Sequence, residues 1–262
     1  MQLAVLLLGA LALAGVEAVI ERNHLASLRR HATGTADSSS ESEEVDLGGQ
    51  QCNERKLQRC TKAYFQKLGF KKQAPRSAAE YGQRVANILN KLGGRKGWTK
   101  ICNFGKSWFQ CVGGAGQARA CMTVKELTHL GVKPGDALAY VEMSKQFGYE
   151  CGPGFHVIAN DRNWNCIQNI HKDPQATQRL THCIQEFSRK VQRQPSKTCI
   201  FLQDMARCYQ AVFASRCGSD VANNVCNAMR VSLTVNYPQC HVNCRQEHRD
   251  IDPDNDNDDG FF

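Results

Sequence analysis

The chain has 262 residues, with 33 Lys or Arg, 25 Asp or Glu and 14 Cys, and a formal net charge of +8. Beyond the first residues no stretch approaches the roughly 20 apolar residues needed to cross a bilayer, which excludes a helical membrane anchor downstream of the N-terminus. The sequence also lacks a phosphate-cradling glycine loop, a Gly-x-Ser-x-Gly elbow and a His-Glu-x-x-His pair, so the usual nucleotide, serine-hydrolase and zinc-protease chemistries find no foothold.

Residues Leu3 to Val16 form an apolar run of signal-peptide length, and Val16-Glu17-Ala18 places small residues where a signal peptidase needs them. Residues 1–18 are therefore read as a leader cleaved after Ala18, and the protein is expected to be secreted and extracellular. Residues 19–51 are polar, small and acidic, with little to bury, and are expected to be disordered. Arg29-Arg30 in this segment is a candidate dibasic processing site. Ser39 and Ser42, each with Glu two residues on, are candidate phosphorylation sites for secretory-pathway kinases.

From residue 52 onward the pattern is helical. Ser77 with Glu80 is a capping box, followed by Tyr81, Val85, Ile88, Leu89 and Leu92 at helical spacing and a stop at Gly93-Gly94. Thr123 with Glu126 repeats the box, with a stop at Gly131. Asp136 is positioned to cap a helix running through Val141 to Phe147 and stopping at Gly148. Asp173-Pro174 reads as an N-cap with proline at the first helical position, opening the stripe Ala176, Leu180, Cys183, Ile184, Phe187 and Val191. Ser196 is expected to open a further helix closed by Gly218, and Val221 to Leu233 forms a last one. Strand-like alternation is nearly absent. Residues 250–262 hold six Asp and no base, and read as an acidic disordered tail. Asp254, Asp256 and Asp258 alternate like the opening of a calcium loop. However, glycine falls one place late and the twelfth-position Glu is missing, which excludes an EF-hand. The fold class is thus an all-α, disulfide-cross-linked helical bundle with acidic tails on either side.

In an oxidising compartment an even cysteine count reads as disulfides, with no free thiol required. The cysteines are Cys52, Cys60, Cys102, Cys111, Cys121, Cys151, Cys166, Cys183, Cys199, Cys208, Cys217, Cys226, Cys240 and Cys244. Their pairing stays open. Cys199, Cys208, Cys217 and Cys226 recur every nine residues, about two and a half helical turns, so Cys199 and Cys208 face opposite sides of one helix that could be stapled to a neighbour on each side. Six cysteines fall in residues 52–151 and eight in 166–244. Two sub-bundles hinged near Gly152-Pro153-Gly154 are therefore conceivable within a cysteine-rich domain spanning 52–249, and one continuous domain is the simpler reading.

The segment Ser196-Lys197-Thr198-Cys199-Ile200-Phe201-Leu202-Gln203-Asp204-Met205-Ala206-Arg207-Cys208 runs into Ser215-Arg216-Cys217-Gly218-Ser219-Asp220-Val221, and Tyr237-Pro238-Gln239-Cys240 follows. This rhythm resembles the secreted cysteine-rich domains of nematodes catalogued as domain of unknown function nineteen. It is also similar to the globular part of the nematode chondroitin proteoglycan family four, and more distantly to stanniocalcin-like helical cystine hormones. The likeness is best over residues 160–244 and thinner over 52–150. It implies a secreted, helical, disulfide-rich module without catalysis, and carries over no site residues. The chain has no Ser-Gly dipeptide, the core of a glycosaminoglycan attachment site, and no Asn-x-Ser/Thr sequon.

Candidate chemistry is sparse. Cys240, Cys244 and His248 have zinc-like spacing, but disulfides are the expected fate of those thiols. His182 beside Cys183 is not a nucleophilic pair, because adjacent helical residues diverge by about 100°. No catalytic residue, cofactor or metal site is assigned. Charge is more informative: residues 52–249 hold 30 Lys and Arg against 12 Asp and Glu, a basic body between acidic ends. The densest clusters are Lys71-Lys72, Arg95-Lys96, Arg189-Lys190 with Arg193, and Lys197. Basic patches attract polyanions, and outside the cell these are sulfated glycans rather than nucleic acid. The expected function is a secreted, non-enzymatic interaction module that meets a matrix polyanion. The alternative is a signalling factor or parasite effector with a protein receptor.

Overall fold

A computed structural model of the chain describes residues 51–71 and 77–244; the leader, Arg29-Arg30, Ser39, Ser42, Lys72, His248 and the acidic tail lie outside these residues. The described residues form eleven α-helices and one 3-10 turn, with no strand. The first six helices are α1 (Glu54–Lys67), α2 (Ala78–Leu92), α3 (Gly94–Val112), α4 (Ala115–Cys121), α5 (Val124–His129) and α6 (Pro134–Glu150). Then come α7 (Phe155–Ile158), α8 (Asp161–Lys172), α9 (Pro174–Arg193), the 3-10 turn Pro195–Lys197, α10 (Thr198–Cys217) and α11 (Ser219–Leu233). None of them is long and apolar enough to cross a membrane.

Side-chain caps start five of the helices, four of them long. Ser77 Oγ accepts from Glu80 N at 3.2 Å, Thr123 Oγ1 from Glu126 N at 3.1 Å, and Asp173 Oδ1 from Gln175 N at 2.8 Å, each satisfying a donor the helix leaves open. Several expected boundaries move; α11, for one, begins at Ser219 rather than Val221. Asp136 does not cap its own helix, which begins at Pro134; its Oδ1 instead accepts from Ala78 N at 3.0 Å, across to the start of α2. Gly148 does not stop α6, which continues to Glu150, next to Cys151 and its disulfide to Cys102 of α3. Ser196 falls in the 3-10 turn, and α10 begins two residues later at Thr198, whose Oγ1 donates to Pro195 O at 2.6 Å.

A continuous cluster of buried side chains runs from Phe65 in α1 to Cys244. It includes Trp98 of α3 edge-on to Trp164 of α8, with ring centroids 6.1 Å apart, and Phe187, Leu180 and Phe213 of α9 and α10. α6 packs along α11, and the segment that follows α11 is pinned to α6 where Asn236 donates to buried Glu142. All fourteen cysteines are paired. The bridges are Cys52–Cys121, Cys60–Cys111, Cys102–Cys151, Cys166–Cys217, Cys183–Cys208, Cys199–Cys240 and Cys226–Cys244. α10 is indeed stapled on opposite sides: Cys208 to α9, and Cys199 to the segment after α11. No bridge crosses from residues 52–151 to residues 166–244.

Candidate polyanion interface

The fold treats the predicted basic clusters differently. Arg189 is committed to Glu186, donating from Nη2 at 2.7 Å and Nε at 3.0 Å. Lys190 Nζ lies 3.9 Å from Glu186, 3.7 Å from Asp204 and 5.6 Å from the centre of the Phe201 ring. Much of this cluster's charge is therefore neutralised within the protein. Glu186 responds to the same neighbours: its hydrogen bond from Arg189 holds its carboxyl below the usual range. Arg193 and Lys197 are exposed at the end of α9 and in the 3-10 turn, and Lys71 is exposed just after α1.

Arg95 and Lys96 behave otherwise. Both are exposed in the first turn of α3, and neither forms an ion pair among the described residues. Asp161, at the start of α8, accepts from Arg95 N at 3.1 Å and so is occupied with an open donor at the start of α3. The spacing of four along α3 lines up Lys96, Lys100 and Phe104, with Arg95, Thr99 and Asn103 beside them. These six residues line a shallow recess of about 440 Å³. Lys67 at the end of α1 completes it: its Nζ lies 6.0 Å from the Phe104 ring centre, and that of Lys100 lies 5.8 Å away. Both approaches are within cation–π range. Lys67, Lys100 and Phe104 were not singled out by sequence, because their alignment depends on α3 being a helix.

No family model, curated protein or solved structure matches the chain.

The remaining candidate chemistry resolves simply. Cys240 and Cys244 are in disulfides with Cys199 and Cys226, so the zinc-like spacing around them holds no free thiolate. Cys183 is buried and bridged, with His182 exposed beside it. Two features were not anticipated. Glu54, Glu126 and His129, from α1 and α5, bring one ligand atom each within 4.8 Å of one another. A larger groove of about 1200 Å³ opens between α9 and α10, near buried His171.

Proposed function

We propose that the protein is a secreted, non-enzymatic module that binds a sulfated glycan through the recess of α1 and α3. The observation that carries this reading is the convergence of Lys67 and Lys100 on Phe104, with Arg95 and Lys96 alongside and none of these four cations in an ion pair among the described residues. Four cations on one small surface suit sulfate and carboxylate groups repeated along a chain, and the half-buried aromatic face offers the apolar side of a sugar ring a place to rest. The seven disulfides suit a protein that must persist outside the cell. The cysteine rhythm that resembles nematode secreted domains points the same way.

Retention on immobilised heparin tests the reading and the position together. Lys67→Ala with Lys96→Ala and Lys100→Ala should elute at clearly lower salt than the parent. Arg189→Ala with Lys190→Ala, whose charges are already paired, should elute close to it. Equal losses from both sets would mean a diffuse basic surface, and a parent chain that elutes at or below physiological salt would end the glycan reading.

A further inference from the structure

The groove between α9 and α10 lies apart from the basic recess and has a defined length. At one end Arg216 of α10 pairs with Asp173, which joins α8 to α9. Toward the other end the Cys183–Cys208 disulfide ties the two helices, and Gln185 lines the groove just beyond it. Ten residues of α9 separate those two ties, a run of about 15 Å.

The lining is mixed. Pro174, Ala211 and Val212, with half-cystine Cys208, provide apolar surface, Lys172, Arg179 and His182 supply cationic or donor groups, and neutral Thr, Gln and Ser side chains fill the rest. No Asp or Glu lines the groove. His171 adds a buried polar contact. It is only 6% exposed, its ring stands edge-on to Phe213 at 6.1 Å, and neither ring nitrogen has a hydrogen-bond partner in the protein. Burial holds this imidazole in its neutral form, which offers one N–H donor and one acceptor nitrogen. A buried donor without a partner is uncommon in native proteins, and here it lies in the wall of a recess edged with positive charge.

We infer that this groove binds an amphiphilic carboxylate of the fatty-acid class, with its head group at His171 and the cations of Lys172 and Arg179, and its chain along Pro174, Ala211 and Val212. Charge complementarity selects an anion. The single buried donor suits one head group rather than a repeating polyanion. The Pro174, Ala211 and Val212 surface gives an aliphatic chain a place to lie that a glycan, with no aliphatic stretch, would leave unused. The inference is independent of the glycan reading, since it shares no residue with the α1–α3 recess.

The experiment uses the full secreted chain and the fluorescent probe cis-parinaric acid, displaced by oleate or by methyl oleate. Saturable binding of one probe per chain is expected, with oleate competing at least tenfold better than the uncharged ester. Ala211→Trp fills the groove from an exposed position and should weaken binding tenfold or more while leaving the helical melting curve unchanged. Arg179→Ala should weaken oleate but not the ester. Lys67→Ala with Lys100→Ala should leave oleate binding untouched while reducing heparin retention. The imidazole of His171, followed by NMR, should titrate at higher pH with oleate bound than without. Absence of saturable binding would overturn the proposal, as would equal competition by acid and ester, or binding indifferent to Ala211→Trp.

Discussion

Glu150 and His171 are each 6% exposed and give the fold opposite responses to pH. Burial pushes the Glu150 carboxyl up to about 7, against a weaker downward pull from Gln146, which donates to it at 2.9 Å. Between about pH 4.5 and 7 the unfolded chain has released this proton while the folded one keeps it, so the stability it confers is complete at low pH and is lost as pH rises. Burial lowers His171 to about 4 from 6.5. In that window the unfolded chain takes up a proton that the folded one refuses, and stability falls as pH drops. Each effect amounts to roughly 3 kcal/mol across its range, and the two nearly cancel. Glu150→Gln should therefore make denaturant stability rise from pH 4.5 to 7 relative to the parent, and His171→Phe should make it fall. Parallel pH profiles for both variants and the parent would show that neither group titrates as its burial implies. Gly94 sets a different limit. A Cβ there would stand 2.7 Å from Trp164 Cβ, so Gly94→Ala must push α3 away from α8. A loss of about 1–3 kcal/mol, read as a lower urea midpoint at unchanged slope, is expected.

Among the elements, α9 was legible and α3 was not, and the reason is physical. Asp173-Pro174 announces the start of α9, and Ala176, Leu180, Cys183, Ile184 and Phe187 trace its buried face with no competing signal. At Gly93-Gly94 the sequence reads as a stop, which is half correct. Gly93, at φ +78°, ends α2 in a conformation that disfavours other residues, whereas Gly94 opens α3 at once. Gly97 then lies inside α3 because a Cβ there would approach Leu89 Cα to 3.0 Å; it permits close contact with α2 rather than breaking a helix. Glycine chosen for packing is indistinguishable in sequence from glycine chosen for a turn, so Lys96, Lys100 and Phe104 could not be seen as one face. The disulfide between α9 and α10 offers a test of how far these elements depend on covalent ties. Replacing Cys183 and Cys208 together by Ala opens a link between residues 25 apart. Loop-closure entropy predicts a loss of about 3.5 kcal/mol by chemical denaturation for a loop of that size. A loss below about 1 kcal/mol would mean that packing of Leu180, Phe187 and Phe213 already holds the two helices together.

Over the whole molecule, charge and cross-links follow different plans. The excess of base over residues 52–249 is spread over every long helix except α6 and α11, and the fold sorts it into paired cations such as Arg189 and unpaired ones such as Lys100. The sulfur bridges sort by chain position instead. Three lie wholly within residues 52–151 and four wholly within residues 166–244, while the buried cluster ignores that division. Seen as a wiring diagram, the described molecule is two closed covalent circuits joined by a single wire, the backbone from Gly152 to Asn165. One protease nick in that wire, at an engineered site beside Asn160, should leave a native-looking particle that falls into two polypeptides in urea without any reductant. The same nick beside Gly131 should leave one covalent species, because Cys102–Cys151 spans the cut. Non-reducing gel electrophoresis after each digestion separates the outcomes. Resistance to reduction and resistance to proteolysis are thus guarded at different places in this chain, and its covalent weak point is a short stretch of peptide that no sulfur protects.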